Sequence, residues 1–98
     1  MKKFSQNESY SPRNAREKML ANAFMKLNSE KEIASFLRDL LTLSEIEEFA
    51  NRLEMAKLLA RGWSYKRVAK ELKVSTTTVT RVAHWLFRGC GGYQKVLK

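Results

Sequence analysis

Ser75, Thr76, Thr77, Thr80, Arg81 and His84 recur at steps of one or three residues, so on a helix they would share its first turn and one outward side. Each carries a hydrogen-bonding group, and none carries a negative charge. Short hydroxyls, a guanidinium and an imidazole are groups that can read base edges in the major groove of duplex DNA. Just upstream, Tyr65, Lys66, Arg67, Lys70 and Lys73 supply cations and a hydroxyl that could hold phosphates without reading sequence. Any one of these lysines could be an ordinary solvated charge. Collectively they are not neutralised: residues 64–98 hold eight basic and one acidic side chain, against three and four in 44–63 and eight and five in 1–43.

Catalysis has less to stand on. His84 has no evident nucleophile or metal partner, and Gly89, Gly91 and Gly92 do not make a phosphate-cradling loop. We therefore expect no catalytic residue, no metal site and no enzyme. Cys90 is the single cysteine, which excludes an intramolecular disulfide and a cysteine-based zinc site and suits a thiol in a reducing cytoplasm. The net charge of +9 on 98 residues favours a polyanionic partner. The polar start lacks the apolar run of a signal peptide, and no stretch is long and apolar enough to span a membrane, so a cytoplasmic protein with no membrane partner is expected.

The elements that must position these side chains are helical. Residues 1–11 are rich in Ser, Asn and Gln and read as a disordered leader before a single helical domain, 12–98. Ser11 and Pro12 read as cap and first position of a helix over 12–27, with Ala15, Met19, Leu20, Ala23, Phe24 and Leu27 on one side. Ser29 with Glu32 forms a capping box ahead of Ile33, Phe36, Leu37, Leu40 and Leu41. Ser44 with Glu47 repeats it ahead of Ile46, Phe49, Ala50, Leu53, Ala56 and Leu59, and Gly62 can end that third helix in a left-handed conformation. These faces are larger than a two-helix reader needs to shield, so 12–62 are expected to be dimerisation helices of a homodimer. A monomer core is the alternative use of Phe24, Phe36 and Phe49.

The stretch 64–88 reads as a helix-turn-helix. Ser64 can cap a helix over 65–72, and Ser75 one over 76–88. Two helices joined by so short a turn need apolar residues at set places, and Val68, Leu72, Val74, Val79 and Val82 fill them. Ala69 is small enough to let the second helix approach. Lys73 stands where a glycine would ease the turn, and would need an unfavourable backbone angle there. The triple threonine 76–78 is poor helix material, which suits short groove-facing side chains, although capping and solvating the helix start would also account for it. Beyond Arg88, residues 89–98 break the helix and can form a short closing turn or helix.

The opening LLT-x-SE-x-E, Arg52 ten residues after Thr42, and TTTVTR make the stretch 41–86 resemble the Trp repressor family, most closely its smaller YerC/YecD-like branch. The resemblance covers somewhat under half the chain. It implies an all-α, intertwined homodimer whose two helix-turn-helix readers bind a palindromic operator in double-stranded DNA. In the founding branch it also implies tryptophan as corepressor, and the ligand-pocket positions carried over are Thr42, Arg52 and Arg81. Two positions depart: Val82 stands where that branch has glycine, and Trp85 where it has serine. The expectation is a regulator, a repressor by analogy, that works without a cofactor, with Trp85 packed near Arg52 or Arg81. Tryptophan or a related small effector remains the alternative for that pocket. Arg81 is placed ahead of ligand binding in contacting base or phosphate. A helix-turn-helix used as a protein-interaction or RNA-binding module is the alternative function, since shape alone does not choose the partner.

Overall fold

The computed structural model describes residues 4–98, among which six helices and no strand occur. They are α1 (Ala15–Phe24), α2 (Glu30–Leu40), α3 (Leu43–Ala60), α4 (Tyr65–Leu72), α5 (Thr76–Arg88) and α6 (Gly92–Val96). Two compact units divide the described residues, one of 10–48 and one formed by 4–9 together with 49–98.

In the unit 10–48, local hydrogen bonds set the helix starts. Asn14, not Ser11, caps α1, its side chain accepting from Glu17 N. Glu17 fixes this register because its carboxylate accepts from Arg13 N at 3.0 Å, pairs with the Arg13 guanidinium at 2.7 Å and takes the Tyr10 hydroxyl proton in a hydrogen bond. The Arg13 guanidinium, and after it the Tyr10 hydroxyl, hold that carboxyl at about 2, well below its usual 4.5. α1 also ends earlier than its apolar spacing predicts. From Met25 to Leu27 the amides bond three residues back, the tighter pattern of a closing turn. Ser29 caps α2 as expected, while Glu32 returns its bond to Asn28 N.

The box expected at Ser44 and Glu47 is instead Thr42 and Glu45. Thr42 N donates to Glu45 Oε1 at 2.9 Å, and Glu45 N donates to Thr42 Oγ1 at 3.1 Å. Two overlapping S/T-x-x-E registers compete here, and the earlier one adds the Ile46 N to Thr42 O bond to the helix. Phe24 and Phe36 meet edge to face with centroids 5.3 Å apart. No side chain between 10 and 48 is buried within the chain, and Met19, Leu20, Ile33 and Leu40 are all exposed.

The other unit holds the buried core. Met55, Ala56, Leu58 and Leu59 of α3, Val68 and Ala69 of α4, and Val79, Val82, Ala83, Leu86 and Phe87 of α5 form one cluster. Leu72 and Val74 pack against it, so the apolar positions of the α4–α5 pair are all used. Each Val or Leu so buried contributes roughly 1.5–3 kcal/mol.

Of the three left-handed residues described, Gly62 and Lys73 shape the connections on either side of α4. At the end of α3, Gly62 takes φ +93°, Trp63 N bonds Leu58 O and Gly62 N bonds Leu59 O, a closing pattern that needs a residue tolerant of positive φ. The turn after α4 repeats the six-residue closure, Val74 N to Ala69 O at 3.0 Å, but with Lys73 at φ 57°, ψ 45°. Lys73 is the one non-glycine residue with positive φ among those described. At the far end of α5, Gly89 lies so close to Trp85 that an added Cβ would come within 2.3 Å of its carbonyl oxygen.

The stretch expected to be a disordered leader falls partly outside the described residues, at 1–3. Its next residues lie along the end of α5. Ser5 N donates to Phe87 O at 2.8 Å, Glu8 N to Gly89 O at 3.4 Å, and the Phe4 ring stacks on Phe87 with centroids 5.4 Å apart.

Two outcomes follow from these local geometries. Lys73→Gly relieves a left-handed side chain and should raise the unfolding free energy by about 1 kcal/mol, less the extra backbone entropy of glycine when unfolded, as read by urea denaturation. Glu17 has a folded pKa below its unfolded value, so its support of α1 is present above about 4.5 and is lost as pH falls toward about 2. Amide resonances of the first turn of α1 should titrate in that window, and Glu17→Gln should abolish the transition.

Candidate nucleic-acid interface

α5 presents two unlike sides. Val79, Val82, Ala83, Leu86 and Phe87 are buried, and Thr76, Thr77, Thr80, Arg81, His84 and Arg88 are exposed. The split follows from the 3.6-residue period: once the apolar side is in the core, the polar side must face out. Ser75 starts the helix by accepting from Thr78 N at 3.1 Å, and it shares a second bond with the Thr78 hydroxyl at 3.0 Å. Its hydroxyl is thereby engaged in capping. Thr80 Oγ1 donates to Thr76 O at 2.8 Å, which spends its proton and leaves its lone pairs facing outward.

The five residues expected at phosphates divide. Lys66, Lys70 and Lys73 are exposed, with no ion pair to a carboxylate among the described residues. Arg67 lies over the ring of Trp63, its guanidinium carbon 3.6 Å from the centroid. Such a stack holds the guanidinium plane while its edge N–H groups remain able to donate. The Trp63 to Arg67 spacing of four residues could have announced this contact, and Trp63 at the same time packs against the buried core. Tyr65 is half-buried at the edge of the core, below the Ser64 cap that accepts from Arg67 N.

Tyr65, Thr80 and His84 line one groove of about 590 Å³ together with Ser5, Ala83, Phe87 and Arg88. It joins residues expected to touch phosphate with residues expected to touch bases, and adds two that sequence reasoning missed. Arg88 continues the stripe of Thr80 and His84 at four-residue steps and was legible in principle. Ser5 carried no such signal, being far away in the chain.

A second groove, of about 490 Å³, bears on the ligand-pocket expectation. It is lined mainly by apolar groups, from Phe49, Leu53, Trp85, Tyr93 and Val96, with Arg52, Cys90 and Gly92. The Arg52 guanidinium lies 5.5 Å from the Phe49 ring centroid. Burial raises the pKa of Tyr93, and the charge of Arg52 opposes that rise. Of the four positions carried over, this groove unites Arg52 and Trp85. Arg81 is exposed on α5 and is not part of the lining, while Thr42 caps α3 in the other unit. Val82 is a core residue, 6% exposed, and Trp85 is 48% exposed, meeting His84 edge-on at 5.1 Å. The two-arginine arrangement of a tryptophan pocket is therefore not assembled within this unit, and an indole of the chain itself forms part of the groove wall.

Among the described residues no group of three or more His, Cys, Asp or Glu could hold a metal ion, and no helix is long and apolar enough to cross a membrane.

Comparison with known proteins agrees with this architecture. A protein from Eubacterium eligens ATCC 27750 described as TrpR-like superposes with a TM-score of 0.78 at 31% identity, covering 86% of this chain and 87% of its own. A candidate Trp repressor from Staphylococcus aureus gives a TM-score of 0.77 at 33% identity, covering 87% and 85%. The uncharacterized protein YerC of Bacillus subtilis (strain 168) is 36% identical over 78 residues, 80% of this chain and 75% of that protein. The family model for the Trp repressor protein matches residues 16–98, and the chain belongs to that family.

Proposed function

We propose that the protein is a sequence-specific, double-stranded DNA-binding transcriptional regulator, a repressor that acts in the cytoplasm as a homodimer on a palindromic operator and needs no tryptophan. The α4–α5 pair is its helix-turn-helix, with α5 the reader. One observation carries this reading: α5 buries its apolar side and leaves Thr76, Thr77, Thr80, Arg81 and His84 outward on a unit whose last 35 residues hold eight cations and one anion. Membership of the Trp repressor family supports the same class of activity.

The dimer is supported by the open apolar surface of 10–48. Met19 is 68% and Leu43 65% exposed within a single chain, and an isolated domain gains nothing by keeping such side chains in water. A second copy, contributing the same helices, would cover them in a self-complementary way. Its two readers would then meet half-sites about 34 Å apart, one turn of DNA.

Independence from tryptophan is supported by the groove that unites Arg52 with Trp85 but not with Arg81. The reader helix needs no ligand to order it: it is capped by Ser75 and anchored by the buried Val79 and Leu86.

Retardation of a palindromic duplex selected from a random pool tests the first part. Two chains should bind per duplex, and the logarithm of the binding constant should fall with that of salt by about 0.9 for each phosphate neutralised. Arg81→Ala should cost roughly 1–3 kcal/mol on the selected site and much less on random DNA, whereas Lys66→Ala should weaken both alike. Absence of retardation at every salt concentration would point to the protein-interaction or RNA-binding alternative. Calorimetric titration with tryptophan should give no micromolar binding isotherm; a saturable micromolar signal would contradict independence from it.

A further inference from the structure

We propose that the groove between Ser5 and α5 is a phosphodiester-binding site, and that residues 4–9 are a strap that builds one wall of it. This rests on the reading of α5 as the DNA reader and adds a contact beyond the bases that α5 would meet. The site takes a backbone phosphate flanking those bases.

The groove has donors an anion needs. Arg88, His84 and the Tyr65 hydroxyl line it together with Ser5, whose own hydroxyl donates to Asn7 Oδ1, and no Asp or Glu lines it. Arg88 is exposed and makes no ion pair among the described residues, so its charge is not already neutralised. Thr80 and His84, eight and four residues before Arg88, lie on the same side of α5, which makes the groove continuous with the proposed reading surface.

Placed at the C-terminal end of a helix, however, this is a poor location for a negative charge, because the last carbonyls of α5 carry the negative pole of its dipole. The strap changes that. Ser5 N–H occupies Phe87 O, and Glu8 N–H occupies Gly89 O. Gln94 Nε2 donates to Leu86 O at 3.1 Å, so a third carbonyl of this end is also engaged. With these oxygens bonded and Arg88 alongside, the end of α5 repels a phosphate less than an open helix end would. The stacking of Phe4 on Phe87 and the bond to Phe87 O hold Ser5 in place as a wall.

The test measures binding of a fluorescein-labelled duplex by the full chain at a series of salt concentrations. It compares wild type with Arg88→Gln, Ser5→Glu and Ser5→Lys, all exposed side chains whose change should leave the circular dichroism spectrum intact. Arg88→Gln should weaken selected and random DNA alike by several-fold and flatten the log–log salt slope by about 0.9 per chain, about 1.8 for two chains on a duplex. Ser5→Glu should also weaken binding several-fold, and Ser5→Lys should steepen the slope by about 0.9 per chain. If wild type binds but Arg88→Gln and both Ser5 variants match it, the phosphate site is overturned while the DNA-binding reading survives. Tighter binding by Ser5→Glu would overturn it too, marking the strap as a cover that DNA displaces. If wild type shows no salt-dependent binding to any duplex, the parent reading fails and takes the site with it.

Discussion

Burial of Val79, Val82, Leu86 and Phe87 in one cluster with α3 and α4 sets the rotation of α5 about its own axis, and through it the orientation of every polar side chain the helix carries. A helix turned by one residue would swing Arg81 by about 100°, out of the stripe it now shares with Thr77 and His84. The core is small, but it has no slack at this point: Val68, Val79 and Leu86 are almost wholly removed from solvent. Close packing of this kind is what allows a short surface helix to present side chains in one geometry, since shifting them would open voids beneath.

The turn that brings α4 and α5 together shows how the fold tolerates a local conflict. Lys73 occupies a left-handed conformation that glycine would adopt freely, and it is held there because Val74 must reach the core and its amide must close on Ala69 O. The tertiary contacts outweigh a local penalty of the order of 1 kcal/mol. A lysine at that point also places a cation at the junction of the two helices, which a glycine could not do. The exposed cation and the conformational cost therefore fall on the same residue.

The two units use their apolar residues differently. Residues 49–98 bury a contiguous core, with Phe49, Leu53, Trp85 and Val96 left exposed at its edge, whereas 10–48 bury no side chain and leave Met19, Leu20, Phe24 and Ile33 in contact with solvent in the single chain. Local order in the second unit comes from caps and charge: Asn14, Ser29 and Thr42 each accept an amide hydrogen bond at a helix start, and Glu17 is tied to Arg13 and Tyr10. Such contacts define where helices begin, but they stabilise weakly without burial. That imbalance is the physical ground for the proposal that this unit mediates association between copies.

What the sequence determined by itself was whatever depends on near neighbours along the chain. The limits of α4 and α5, the caps at Ser64 and Ser75 and the stop at Gly62 all follow from side chains within a few positions, and so does the division of α5 into a core side and an outward side. The start of α3 was legible only as a choice, because Thr42 and Ser44 both offer a capping register and the bond from Ile46 to Thr42 selects the earlier one. The tertiary structure decided the rest. It put Ser5 beside Arg88, united Arg52 and Trp85 in one groove without Arg81, and laid residues 4–9 on the end of α5. The strap is joined to α5 chiefly by backbone amides and carbonyls, which every residue but proline supplies alike, so no side-chain pattern could announce it.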